Sequence, residues 1–144
     1  MEPVEFLKVL DNGGEREIRD LSYKFLHITD MATLKKLSVL VNDVEIFLKN
    51  LASSEKGKIE SVTRIISFLK PISNGGCRCE KYNICSYPVH SEHKKGLVNI
   101  LSEMSNKETF ETQCTCECVL CQKAFEVFEY EAGFGRRAEW KSKI

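Results

Sequence analysis

This chain carries no excess charge of either sign, no long apolar run, a single Trp, three His and three Pro. Lys plus Arg and Asp plus Glu stand at 21 each, and the balance holds within each half of the chain. No global field therefore steers the protein to nucleic acid or to an acidic membrane. No apolar run approaches the roughly 20 residues of a membrane-spanning helix. The first ten residues, with Glu2, Glu5 and Lys8, lack the apolar region of a signal peptide. These absences predict a soluble intracellular protein, cytoplasmic or nuclear and not secreted, with no membrane partner. Gly-rich phosphate loops, nucleophile elbows and paired-carboxylate motifs are also missing. The chain is accordingly read as a non-enzyme, with a Cys–His nucleophile and base as the weaker alternative.

The first 70 residues read as helices with short connectors. Pro3 suits the first turn of a helix reaching Leu10, and Asp11-Asn12-Gly13-Gly14 stops it. Glu15 to Ile28 places Ile18, Leu21, Phe25 and Ile28 on one face. Thr29-Asp30 caps a third helix over 31–51, in which Leu34, Leu37, Val41, Val44, Leu48 and Leu51 recur at alternating spacings of three and four. That stripe predicts the core helix of a small bundle; the second reading is a homodimer through residues 34–51. A fourth helix over 55–70 carries Ile59, Val62, Ile66 and Leu69, and Pro71 is expected to end it. His27 is the one candidate ligand here and is read as structural.

After Ser73-Asn74-Gly75-Gly76 the character changes, and cysteine becomes plentiful. The chain holds seven, four of them within eight residues: Cys114, Cys116, Cys118 and Cys121. Upstream stand Cys77, Cys79 and Cys85. In an extended segment Cys114, Cys116 and Cys118 share one face, and the two-residue spacer between Cys118 and Cys121 lets a turn aim both sulfurs at one ion. An odd cysteine count in a reducing compartment argues against a disulfide framework. Zinc takes four soft ligands in a tetrahedron. With His90 and His93 the chain offers nine candidate ligands, enough for two zinc ions per chain. One arrangement pairs Cys77 and Cys79 with Cys118 and Cys121. The other site would draw on Cys85, one histidine and Cys114 or Cys116. His90 is preferred to His93, which sits among Glu92, Lys94 and Lys95 and also reads as solvated. Closed four-ligand sites are structural, and a module of about 50 loop-rich residues seldom folds without such help.

The rest of this half predicts a helix over 94–104 with Leu97, Val98, Leu101 and Met104 on one side, then a polar linker over 105–113. Beyond Cys121, Ala124, Phe125, Phe128 and Ala132 have helical spacing, while Phe125 and Val127 alternate as in a strand. Gly133-Phe134-Gly135 breaks this element. Phe134, Arg136, Arg137, Trp140 and Lys141 then form an aromatic and basic tail suited to stacking on bases and contacting phosphates. Glu126, Glu129 and Glu131 before it, and the neutral total, weigh against that use.

Cys116-Glu117-Cys118-Val119-Leu120-Cys121-Gln122 resembles the Cys-x-Cys-x-x-Cys zinc motif of polyomavirus small t antigens, and Cys79 to Cys85 is similar to their Cys-x5-Cys element. The cysteine cluster followed by Gly133-Phe134-Gly135-Arg136-Arg137 is distantly similar to lentiviral Tat proteins. The resemblance spans at most about a quarter of the chain. The His-Pro-Asp of the small t J domain and the arginine run of Tat are absent, and the gap between cysteine groups is longer. What the resemblance implies is zinc binding by a small viral regulator that acts on host proteins or RNA.

Together these observations predict a mainly α chain. A helical bundle over 1–72 serves as scaffold or oligomerisation region, and 73–144 forms a zinc-stabilised, loop-rich α(+β) module. The expected function is a zinc-binding regulatory or adaptor protein with a protein partner. The alternative is a zinc-dependent protein that binds RNA or single-stranded DNA through its C-terminal tail, as a silencing suppressor or transcription regulator does.

Overall fold

The structure, a computed structural model, describes residues 1–143 and contains two compact units, Met1–Ile84 and Cys85 onward. No described helix is long and apolar enough to cross a membrane.

The first unit holds five α-helices, α1 (Pro3–Asn12), α2 (Glu15–Leu26), α3 (Met31–Ser38), α4 (Val41–Lys49) and α5 (Lys56–Ser73), and a 3-10 helix over Arg78–Asn83. Its core is a column of Phe6, Phe25 and Phe68, all fully buried. The Phe25 ring lies 5.9 Å from Phe6 and 5.3 Å from Phe68, the latter edge-on, the geometry that aligns ring edge with ring face. Ile18, Leu34, Leu37, Val44, Val62, Ile65 and Leu69 complete it without exposure.

Two expectations fail here for local reasons. The single helix predicted over 31–51 is two, because Ser38 Oγ donates to Lys35 O at 2.7 Å and Leu40 N to Leu37 O at 3.0 Å. Such local bonds compete with the helical ladder. The break turns Val39 outward at 73% exposure and interrupts the apolar stripe. Conversely, Pro71 does not end α5. It lies in the last turn, and the helix closes two residues later with Gly76 N on Pro71 O at 2.7 Å and Gly75 N on Ile72 O at 3.0 Å. This is the Schellman pattern, with Gly75 in the left-handed region at φ 89°. A Cβ on Gly76 would sit 2.6 Å from the Pro71 carbonyl. The two glycines thus deliver the chain directly into Cys77.

The second unit overturns the predicted fold class. Instead of a mainly α chain ending in a loop-rich α(+β) module, a short helix α6 (Val89–Lys94) leads into a four-stranded antiparallel sheet: β1 (Val98–Asn106), β2 (Glu111–Cys118), β3 (Ala124–Glu131) and β4 (Arg136–Lys143), in the order β1-β2-β3-β4. The helix predicted over 94–104 is a strand: Gly96, at φ 76°, ends α6. The linker over 105–113 is a hairpin. Asn106 Oδ1 accepts from Glu108 N and Thr109 N, so the side chain itself builds the turn. The tail after Gly135 is the fourth strand. Thr, Val, Phe and Tyr at alternating positions suit a pleated, half-covered surface.

Registers divide the sheet into two faces. Cys114, Cys116 and Cys118 lie beside Val127 and Phe125 of β3 on the buried face. Across β3, Trp140 meets Phe125 edge-on at 5.6 Å. Trp140 Nε1 also donates to Tyr87 O at 2.8 Å, and Glu129 accepts from Val89 N at 2.9 Å, so the segment entering α6 lies along this face.

Candidate metal centre

Each cysteine pair is placed by backbone geometry. Cys77 follows the α5 cap and precedes a 3-10 turn, Arg78–Asn83, that buries Cys79. Arg78 Nη1 donates to Thr29 O at 2.8 Å and ties this turn to the α2–α3 connection. Cys118 ends β2, and the turn beyond it carries Cys121. There Cys118 N donates to Lys123 O and Gln122 N to Cys118 O, both at 2.9 Å. Gln122 takes a left-handed φ of 62°, which folds the chain tightly enough for both sulfurs to face one point.

The sulfurs of Cys77, Cys79, Cys118 and Cys121 all lie within 4.8 Å of one another. A tetrahedron with metal–sulfur bonds of about 2.3 Å has edges of about 3.8 Å. The four thiols therefore fit a metal ion with shifts of roughly an ångström or less. None of the seven cysteines forms a disulfide. The donor set is all sulfur, which selects zinc or another soft cation over magnesium or calcium.

A second group is smaller and mixed: His90, Glu103 and Cys114 each offer a ligand atom within the same 4.8 Å limit. His90 Nε2 and Glu103 Oε1 are 2.7 Å apart. Burial pushes the Cys114 thiol up to about 11, with the carboxylates of Glu103 and Glu129 adding to the effect. Cys116, fully buried on the same face, is raised by burial to about 12, with Cys114 and Cys118 contributing.

Cys85, Cys116 and His93 belong to neither group. His93 Nδ1 is 3.1 Å from Val98 O, and Cys85 is half-buried. Glu103 was not anticipated, because a carboxylate in an apparently helical stretch carries no ligand signal.

The residues of the predicted nucleic-acid tail do not share a surface. Phe134 sits at the tip of the β3–β4 turn, 90% exposed. Arg136 and Trp140 lie on one face of β4, Arg137 and Lys141 on the other. Arg136 donates to Glu129, Phe110 O and Thr112 Oγ1 at 2.7–3.3 Å, clasping the hairpins.

Comparison with protein-family models, curated proteins and solved structures returns no match.

Proposed function

We propose that this chain is a zinc-binding regulatory or adaptor protein that works by engaging a protein partner and catalyses no reaction. The observation that carries the reading is the group of four cysteine sulfurs within 4.8 Å. A complete all-thiolate shell leaves no coordination position for a substrate, which is the mark of a structural site. Zinc supplies shape here: apparent binding of about 10–16 kcal/mol in structural zinc peptides is ample to order a short turn and its flanks. The turn between Cys118 and Cys121 presents Val119 and Leu120, 40% and 48% exposed, an apolar pair that a protein partner would cover.

The nucleic-acid alternative has less support. Across the outer face of the sheet, Glu111, Glu117, Glu126 and Glu139 stand against Arg137, Lys141 and Lys143. Four carboxylates against three cations give a polyanion no electrostatic footing.

Native mass spectrometry of the full chain, before and after a strong chelator, tests the proposal together with far-UV circular dichroism. The expected result is tightly held zinc in the untreated protein, lost with chelator along with ordered structure. Ligands must be thiolate to bind, so acidification should release the metal in the same way. A metal-free protein whose spectrum ignores the chelator would sink the reading.

A further inference from the structure

We propose that His90, Glu103 and Cys114 form a second, exchangeable zinc site with one coordination position left to water. This goes beyond the all-cysteine centre and does not depend on it, since no residue is shared.

Three elements converge to build it. His90 comes from α6, Glu103 from β1 and Cys114 from β2. Glu103 is directly opposite Cys114 in the ladder, so the two side chains rise from the same face as cross-strand neighbours. That pairing depends on an irregularity. The register shifts between Ile100 and Ser102, and the extra residue, Leu101, is taken up by a bulge. In an uninterrupted ladder Ser102 would stand opposite Cys114, and Glu103 would point to the other face. Bulges recur where a side chain has to be re-aimed.

The chemistry of the three donors is that of zinc. Imidazole, carboxylate and thiolate are its three protein ligand types, and three protein ligands plus water is the open form of its coordination. The ligand heads are held in advance, His90 Nε2 and Glu103 Oε1 at 2.7 Å, with the Cys114 sulfur within the same 4.8 Å group. Accessibility is graded: the Cys114 side chain is buried, while those of Glu103 and His90 are 36% and 59% exposed. An ion enters from solvent past the histidine and meets the thiol at the floor. Glu129, on the same face, is already paired with Arg136 at 3.3 Å, so the negative charge that would meet a divalent cation comes from Glu103 and the thiolate themselves. With one sulfur instead of four and an open side, this site should release zinc before the all-cysteine centre does.

The test is zinc titration of the full chain, read by native mass spectrometry under increasing chelator. The wild-type chain should hold two zinc ions and give up one first. His90→Ala and Glu103→Gln alter exposed side chains and should leave the far-UV spectrum unchanged. Each should weaken the labile zinc by more than the roughly 10–100-fold that loss of a supporting neighbour costs, while the tight zinc stays. Cys121→Ser should do the reverse, weakening the tight ion and sparing the labile one. Failure of the all-cysteine centre is thus distinguishable from failure of this site. A wild-type chain whose zinc, one ion or two, is indifferent to both His90→Ala and Glu103→Gln would overturn the proposal, whereas a single zinc lost in those variants and kept in Cys121→Ser would support it. Cobalt(II) gives an independent readout: the second equivalent should contribute a thiolate charge-transfer band that His90→Ala removes.

Discussion

Phe25 and Asp30 stand a few residues apart, and their contributions to stability have different origins. Phe25 is fully buried between two other rings. Phe25→Ala would leave a cavity that rigid helices fill only in part, and should cost about 3–5 kcal/mol, measured as a shift in the urea midpoint at constant slope. Asp30 is at the surface and caps α3. Its carboxylate accepts from the Thr33 hydroxyl at 2.6 Å and from Thr33 N and Ala32 N. The side-chain bond from Thr33 is the leading cause that holds its carboxyl below the ordinary 3.8. A depressed folded-state pKa gives stability that is full above the unfolded value and is lost as pH falls through the folded one. Asn caps helices too but does not titrate there. The stability difference between wild type and Asp30→Asn should therefore be constant near neutrality and shift against the wild type below about pH 4. A difference that is flat down to pH 2 would remove Asp30 from the acid response.

At the level of elements, the helices with strong periodic stripes were legible and the sheet was not. Ile18, Leu21 and Phe25 lie on the buried side of α2 as their spacing implied. In α5 the buried stripe is displaced, with Ile65 and Phe68 inside in place of Ile66. The missed strand β1 shows why. Leu97, Val98, Leu101 and Met104 happen to fall at helical spacing, and the bulge at Leu101 destroys the period-two signal that would have announced a strand. The same event hid Glu103 from the ligand set. Cysteine spacing did point to metal, because i, i+2 and i, i+3 thiols have few other uses in a chain without disulfides. It could not show which distant side chains a ladder would bring alongside. The bulge leads to an unusual expectation. Removing one residue from a strand normally turns every later side chain to the opposite face. Deleting Leu101 should not, since Ile100, Ser102 and Glu103 would then run in regular register with Cys116, Thr115 and Cys114. The deletion variant should keep both its sheet spectrum and its labile zinc; loss of that zinc with the sheet intact would contradict the registry argument.

Taken as a whole molecule, the chain combines a unit held by aromatic packing with a unit whose sheet has β1 and β4 as its edge strands. Open edges invite other chains to add on and begin aggregation. Each edge carries an obstacle. The bulge at Leu101 roughens β1. On β4, the Ala138 N–H is already given to Ser86 Oγ at 2.7 Å, and Lys141 and Lys143 charge the exposed side. The hydroxyl of Ser86 thus acts as a stopper on the sheet: it fills one backbone docking point that an incoming strand would need.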